Sequence, residues 1–335
     1  MADADSLHDD MSAQHGPQKA GESSLDDPHI MFPSTWRPDV SFDFEPSPSA
    51  RFLPPSKFFQ GEFLDIEAAK RSPREYIQAM ASSSSGVVRG NLHSSKFDHV
   101  WNDVFQADPW VQAVRKEGYK MPFSSLPGEY DEKNNASAAK KPAFVKGEVA
   151  RLVESGALVP VKTRPRCVSP LTVASRVKED GSRKLRLCWD GSRHVNPLIK
   201  DEHLKFADLN VALSLLEHDD YQLSYDLKSA YHHVLLHPDM LDFMGIVVDF
   251  DGSPKYYVFV VMAFGIRSAA HALTRIMKVP SAFFASHGIR HSIFLDDGKC
   301  NGKSMKEAGA RHQFILDCLP SAGMVIAPDK TDTLS

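Results

Sequence analysis

The chain has 335 residues, which allows two domains or one domain with a tail, and its 42% of hydrophobic residues can form a substantial core. The formal net charge at pH 7 is only −4, so the total charge does not identify a nucleic-acid-binding protein. No hydrophobic run approaches the roughly 18 residues that a membrane span requires, and the sequence shows no signal peptide. We therefore expect an intracellular protein, in the cytoplasm or the nucleus, without a membrane partner.

The N-terminal region, residues 1–95, is expected to be largely disordered or irregular. Residues 1–30 are rich in Asp, Ser, His and Gly and contain few large hydrophobic residues, which is typical of a disordered tail. Residues 31–95 contain many prolines and a serine run at 82–85. They predict an extended or irregular chain with one helix near residues 64–81.

A leader helix and a linker are predicted for residues 96–141, with the linker at 124–141. Trp101 and Trp110 are interpreted as buried anchors of the leader, and stacking on bases is the alternative. A helix that ends at Gly156 follows, and a strand comes after it. The four cysteines form neither a zinc pair nor a disulfide framework, so we expect reduced thiols: Cys167, Cys188, Cys300 and Cys318.

The distribution of charge is more informative than its sum. Residues 141–200 carry 13 Lys and Arg against 5 Asp and Glu, whereas residues 1–140 carry 14 against 21. A basic stretch of this kind can contact the phosphates of a nucleic acid. The alternative is a basic surface that is merely solvated.

Two strand-like segments end in aspartates. The first runs from Gln222 to Asp226, and the second runs from Ser292 to Asp296 and Asp297. If both strands deliver their carboxylates to one place, they can hold two Mg²⁺ ions, because hard cations prefer oxygen ligands. Two such ions can stabilise the attacking and leaving oxygens of a phosphoryl displacement. An Asp-Asp-Gly triplet alone is more often a solvated hairpin turn.

The segments around these strands alternate between strands and helices. Residues 243–250 and 256–261 predict a β-hairpin. Ser268 can cap the next helix, and Pro280 is expected to end or kink it. Ser304 can cap a later helix that Gly323 closes.

Five segments follow one another along the chain: Leu185–Asn196, Asp226–Tyr231, Ala263–Ala270, Phe294–Asp297 and the stretch that leads to Lys330. Their residues and their order resemble the fingers and palm of retroelement reverse transcriptases, and the resemblance covers about residues 97–335. The resemblance implies an α+β fold of the right-hand polymerase type with a disordered N-terminal tail. The reverse transcriptase domain would span residues 142–335, with fingers at 142–220 and the palm at 221–335.

The resemblance also assigns roles to individual residues. Asp226, Asp296, Asp297 and the Leu227 carbonyl would hold two Mg²⁺ ions, with Mn²⁺ as an alternative. Lys330 would give a proton to the departing pyrophosphate. The remaining residues would bind the incoming nucleotide, with Tyr231 excluding a ribose 2′-OH: Arg183, Lys184, Arg186, Tyr231, Phe264 and Gly265.

The leader is similar to that of DIRS-type, tyrosine-recombinase retrotransposons, and a gypsy-like origin is the second choice. The chain departs from the family pattern at Ala263, Ala270, Phe294 and Gly298, and none of these changes removes a metal ligand. Neither a thumb nor an RNase H domain is recognisable before Ser335, so we expect a chain that is truncated before the thumb.

The resemblance implies an RNA-directed DNA polymerase that adds dNTPs to a primer on an RNA or DNA template. One alternative is a truncated, catalytically inactive fragment that only binds nucleic acid. Another is an RNA-templated RNA polymerase, and Tyr231 argues against it because an enzyme that makes RNA needs space for the 2′-OH.

Overall fold

The structure is a computed structural model that describes residues 54–81, 88–202, 209–249 and 252–332. The predicted disordered tail therefore lies outside the described residues as far as residue 53, and so do the serine run and the tip of the predicted hairpin at residues 250 and 251. Within the described ranges, no helix combines the length and the hydrophobicity that crossing a membrane would take.

The described residues form eight α-helices and twelve strands, besides short 3₁₀ and π turns. The helices are α1 Ile66–Arg71, α2 Pro73–Ala81, α3 Pro109–Glu117, α4 Ala136–Ala139, α5 Pro142–Glu154, α6 Leu209–Ser214, α7 Ala269–Ser286 and α8 Met305–Ser321. The strands are β1 Phe59–Gln60, β2 Phe63–Leu64, β3 Tyr130–Asp131, β4 Leu158–Val161, β5 Cys167–Val168, β6 Leu171–Val177, β7 Arg183–Trp189, β8 Tyr221–Asp226, β9 Gly245–Asp249, β10 Pro254–Phe259, β11 Arg290–Phe294 and β12 Asp297–Gly302.

Two sheets and a long hairpin organise the molecule. The larger sheet has the strand order β3-β5-β9-β10-β4, and the predicted hairpin is confirmed as its antiparallel pair β9–β10. The smaller sheet has the order β11-β12-β8, with both pairs antiparallel. The pair β6–β7 stands as a separate two-stranded hairpin. Mixed strands and helices confirm the α+β fold class.

The N-terminal part of the described chain belongs to the hydrophobic core. Residues near 64–81 form α1 and α2 in place of the single predicted helix, and Asp65 caps α1 by accepting a hydrogen bond from Ala68 N at 2.9 Å. Tyr76, Ile77 and Met80 of α2 are fully buried. The prediction of helical structure near residues 64–81 is therefore confirmed, and the hydrophobic residues of α2 recur at helical spacing and give it a buried face.

The predicted linker is fastened to β6 by side chains. Asn134 Oδ1 accepts a hydrogen bond from Leu171 N at 2.8 Å, and Ser137 Oγ accepts one from Val173 N at 3.1 Å. These side chains act where an additional strand would otherwise pair, and thereby satisfy backbone donors of β6. Residues 134–137 therefore support the hairpin rather than merely connecting two units.

The two long helices pack against the smaller sheet. Ser304 Oγ accepts a hydrogen bond from Glu307 N at 3.1 Å, which confirms the predicted cap of α8. Ser268 precedes α7 but makes no side-chain capping bond, and α7 continues through Pro280 to Ser286. Of the two effects predicted for Pro280, ending the helix does not occur, and the buried positions on both sides of this proline explain why packing outweighs the lost backbone bond.

Candidate active site

The register of the smaller sheet brings the carboxylates together. Asp297 of β12 lies directly opposite Asp226 of β8. The hairpin β11–β12 pairs Phe294 with Asp297, so Leu295 and Asp296 form a two-residue turn at the same end of the sheet. Leu227 N donates a hydrogen bond to Asp296 O at 2.9 Å and holds this turn against the end of β8.

The turn has an unusual backbone conformation. Leu295 has φ 59°, a region that residues with a Cβ rarely occupy. A residue keeps such a conformation only where the surrounding structure enforces it, and such positions cluster at functional sites. Here the strand pairing and the bond from Leu227 N provide that constraint. The turn therefore presents Asp296 in a fixed position.

Negative charge is concentrated at this end of the sheet. The pKa of Asp297 is raised, first by burial, then by a hydrogen bond with Asp226 and by the charges of Asp296 and Asp226. Lys330 Nζ donates a hydrogen bond to Asp226 Oδ1 at 2.8 Å, and this bond raises the pKa of Lys330. The three carboxylates thus repel one another, and the ammonium group of Lys330 compensates their charge only in part.

The chemistry of these donors fits a divalent metal, although their arrangement is not a finished coordination shell. Among the residues that the structure describes, no group of three or more His, Cys, Asp or Glu side chains is arranged to hold an ion. Carboxylate and carbonyl oxygens are nevertheless the ligands that Mg²⁺ prefers. The raised pKa of Asp297 shows that an added positive charge would be stabilised here. Asp226, Asp296 and Asp297 could hold such an ion, together with the cleft-lining residue Leu227.

A cleft of about 660 Å³ opens over the carboxylates. It brings together most of the residues that the sequence predicted for the site: Lys184, Arg186, Asp226, Leu227, Tyr231, Phe264, Asp296, Asp297 and Lys330. Arg183 and Gly265 are not among its lining residues. The roles proposed for all of these residues stay predictions, whereas their positions are those of the structure.

The register of β6 and β7 explains why two of the three predicted cations reach the cleft. Side chains alternate between the faces of a strand, so Lys184 and Arg186 share one face and Arg183 points to the other. Arg176 of β6 lies opposite Lys184 and therefore adds a further cation to that face. The sequence analysis missed Arg176, although the alternation around a hairpin pairing would have indicated it.

Two aromatic rings border one side of the cleft. The rings of Tyr231 and Phe264 meet edge to face with centroids 5.0 Å apart. The Arg186 guanidinium lies 5.8 Å from the centroid of the Phe264 ring. Phe264 is 42% exposed, which is unusual for so large a hydrophobic side chain. The pKa of Tyr231 is raised by burial and by the charge of Asp296, so its phenol remains neutral.

Gly265 lies beneath the cleft, in close contact with the backbone of Trp189, and does not line it. Its φ is 114°, and a Cβ atom would lie 1.8 Å from Trp189 O. Asn196 Nδ2 donates to Gly265 O at 2.7 Å, and Asn196 Oδ1 accepts from Arg267 N at 3.0 Å. The close approach that only glycine permits thus joins the end of β7 to the start of α7 and sets the position of Phe264.

The cleft also contains residues that the sequence analysis did not select. Glu148 and Arg151 of α5 line it and form an ion pair at 2.8 Å. His232 lines it too, and burial together with the charge of Arg151 lowers the pKa of His232 to about 4.

Trp101 is fully buried, as an anchor would be, while Trp110 is half-buried and faces the guanidinium of Arg275 at 4.2 Å.

Comparison with known proteins gives one family and a group of similar structures. The family model described as reverse transcriptase (RNA-dependent DNA polymerase) matches residues 162–335. The native protease–reverse transcriptase of prototype foamy virus is 16% identical, with a TM-score of 0.47, and the match covers 63% of this chain and 26% of that one. The foamy viral enzyme in complex with double-stranded DNA is 20% identical, with a TM-score of 0.49 and coverages of 64% and 35%.

A third structure, the foamy viral protease–reverse transcriptase with an RNA/DNA hybrid, is 16% identical with a TM-score of 0.48. Its match covers 64% of this chain and 27% of that one. The chain thus spans only about a quarter to a third of the length of these structures. No curated protein matches it.

Proposed function

This chain belongs to the reverse transcriptase family, whose model matches just over half of it, and from that premise we propose that it is an RNA-directed DNA polymerase. The reaction would add dNTPs to the 3′-OH of a primer on an RNA or DNA template. The observation that carries the proposal is the cluster of Asp226, Asp296 and Asp297 at one end of a cleft whose lining also includes Lys184 and Arg186. Opposite charges in one cleft suit a substrate that combines phosphates with metal ions.

The two-metal mechanism of the family gives each group a task. Two Mg²⁺ ions, or Mn²⁺ in their place, would be held by the three aspartates and the Leu227 carbonyl, and they would activate the primer hydroxyl and neutralise the leaving pyrophosphate. Arg186 and Lys184 would bind the triphosphate through charge-assisted hydrogen bonds. Tyr231 would exclude a ribose 2′-OH by its bulk. Lys330, which contacts Asp226 at 2.8 Å, would deliver a proton to the pyrophosphate.

We assign the chain to a retrotransposon, with the DIRS type as the first choice and a gypsy-like element as the second. This assignment is supported by the leader sequence between Trp101 and Phe123, which in the structure packs against the rest of the core. We also propose an intracellular location, and the four unpaired cysteine thiols are consistent with it.

Primer extension on poly(rA)/oligo(dT) with Mg²⁺ and dTTP tests the activity directly. We expect incorporation by the parent protein and none by the Asp296→Ala/Asp297→Ala variant, because that variant removes two of the three carboxylates. Circular dichroism should show that the variant is folded. Incorporation that survives in this variant would exclude the proposed site.

The alternative, a catalytically inactive protein that binds nucleic acid, gives a different result in the same assay. The parent protein would bind the primer–template duplex without extending it, and Asp226→Ala would bind as well as the parent. The basic face formed by Arg176, Lys184 and Arg186 favours binding in both cases. Only nucleotide incorporation therefore distinguishes a polymerase from a protein that binds nucleic acid without extending it.

A further inference from the structure

His233 lies fully buried between two parts of the candidate site. It ends the short 3₁₀ turn Ala230–His233, which also contains Tyr231. Its Nε2 atom accepts a hydrogen bond from Val325 N at 2.9 Å, and its Nδ1 atom lies 3.1 Å from Ala230 O. An amide N–H can only donate, so Nε2 carries no proton and Nδ1–H donates to Ala230 O.

Val325 belongs to the segment that delivers Lys330. Lys228 N donates to Val325 O at 2.8 Å, and Ala327 N donates to Asp226 O at 2.8 Å, so the segment runs antiparallel beside the end of β8. Val325 N makes no backbone bond to β8 and donates instead to His233 Nε2, so it would be a donor without an acceptor if His233 were absent. His233 thereby attaches the segment where the backbone pairing stops.

The position of Lys330 therefore depends on the backbone bonds to β8 and on the bond to His233, and the position of Tyr231 depends on the turn that His233 completes. Lys330 follows Val325 by five residues, and its ammonium group donates a hydrogen bond to Asp226. Tyr231 lies in a turn that begins after Ser229, a non-glycine residue with φ 49°. A turn that starts from so sparsely populated a conformation needs an additional stabilising contact. The bond from His233 Nδ1–H to Ala230 O provides it.

We propose that His233 is a positioning residue that couples the turn carrying Tyr231 to the segment carrying Lys330. One ring nitrogen fixes the turn and the other fixes the segment, so a single side chain sets the distance between the two. This inference rests on the proposed polymerase function for its kinetic consequences, whereas the structural coupling itself does not require activity.

The two nitrogens can be replaced one at a time. His233→Asn places an amide donor near the Nδ1 position and keeps the bond to Ala230 O, but leaves Val325 N without an acceptor. His233→Gln places an amide oxygen near the Nε2 position and keeps the bond from Val325 N, but leaves Ala230 O without a donor. Each variant thus releases one of the two parts of the site and retains the other.

We expect the two variants to change different kinetic parameters. His233→Asn should lower kcat for dNTP addition by roughly tenfold and leave the preference for dNTP over rNTP intact, because small misplacements of an acting group cost rate. His233→Gln should lower that preference by roughly tenfold and leave kcat close to that of the parent, because only the turn with Tyr231 has lost its support.

His93 offers a matched control. It is as buried as His233, its Nε2 atom accepts from Leu235 N at 2.8 Å, and its Nδ1 atom lies 2.9 Å from Arg115 O. Its bonds join the leader to Leu235, which follows the turn with Tyr231, and reach neither that turn nor the segment with Lys330. His93→Asn and His93→Gln should therefore lower stability. They should not show the split in which one variant loses kcat and the other loses nucleotide preference.

Amide hydrogen exchange supplies a readout that does not depend on activity. His233→Asn should accelerate exchange mainly in residues 323–332, and His233→Gln should accelerate it mainly in residues 229–234. The proposal is overturned if both variants change the same segment, or if the His93 variants reproduce the pattern. If the parent protein incorporates no nucleotide, the proposed function fails and exchange alone decides about the coupling. If one variant does not fold, exchange in the other one decides.

Discussion

At the scale of single residues, the site is defined by charges that are only partly compensated. Asp226 is paired with Lys330, whereas Asp297 has a raised pKa because it is partly buried beside two other carboxylates. Such an arrangement lowers the stability of the protein and makes it receptive to a cation. Stability and activity are expected to oppose one another at such positions.

This opposition can be measured at Asp297. A carboxyl group whose pKa is raised on folding stabilises the folded state at low pH, and that contribution is lost as the pH rises through its folded pKa. We therefore expect Asp297→Asn to be more stable than the parent at pH 7 without divalent ions, and equal to it near pH 3. Urea denaturation at both pH values provides the measurement.

Mg²⁺ should reverse the order of stability. A ligand that binds only the folded state raises the midpoint of thermal unfolding, so millimolar Mg²⁺ should stabilise the parent. It should stabilise Asp297→Asn much less, because one of the three carboxylates has been neutralised. An equal rise in both proteins would show that Mg²⁺ acts elsewhere.

Tyr231 is the residue that we expect to select deoxyribose over ribose in the incoming nucleotide. Tyr231→Ala removes the ring that meets Phe264 at 5.0 Å and opens space at the cleft wall. We expect the preference for dNTP over rNTP, measured as the ratio of kcat/KM values, to fall by on the order of a hundredfold. Tyr231→Phe keeps the ring and serves as the control, with a preference close to that of the parent. An unchanged ratio in Tyr231→Ala would place the selection of sugar at another residue.

At the scale of elements, one close backbone contact joins the hairpin to the rest of the site. Trp189 N donates to Phe264 O at 3.0 Å, and Gly265 approaches Trp189 O so closely that no side chain fits. Strand β7 carries Lys184 and Arg186, while α7 follows directly after Phe264. The contact therefore sets how the cations and the aromatic wall face each other across the cleft.

Gly265→Ala tests this contact. The added Cβ would lie 1.8 Å from Trp189 O at φ 114°, and we expect a loss of roughly 3 kcal/mol or more in the free energy of unfolding. Gly147→Ala is the control, since nothing lies within 4 Å of its Cβ and the residue is inside α5. That variant should be neutral or gain up to about 1 kcal/mol. Urea denaturation of both variants gives the comparison, and an unaffected Gly265→Ala would contradict the close approach.

At the scale of the whole molecule, the sequence predicts what depends on local pattern and misses what depends on pairing. The aspartate strands and the cap at Ser304 follow from strand and helix signals, and both are present in the structure. The separation of Arg183 from Lys184 needs the register of a hairpin. The place of Gly265 beneath the cleft needs a contact with Trp189, which is distant in sequence. Likewise, the burial of α1 and α2 becomes evident only when the core that they join is known.

That core reaches from the leader to the end of α8, and Trp101 is its clearest link. The side chain is fully buried, and its Nε1 atom donates to Ala322 O at 2.9 Å across 221 positions of sequence. We expect Trp101→Ala to lower the free energy of unfolding by about 3–5 kcal/mol. Trp101→Phe should cost less, because it keeps much of the hydrophobic contact and loses the hydrogen bond. Urea unfolding can be followed by tryptophan fluorescence and by far-ultraviolet circular dichroism, in the parent and in Trp101→Phe. If the leader unfolds cooperatively with the rest of the protein, the two probes will give coincident transitions. Separate transitions would instead identify the leader as an independently unfolding part, in which case Trp101→Ala would shift only the earlier one.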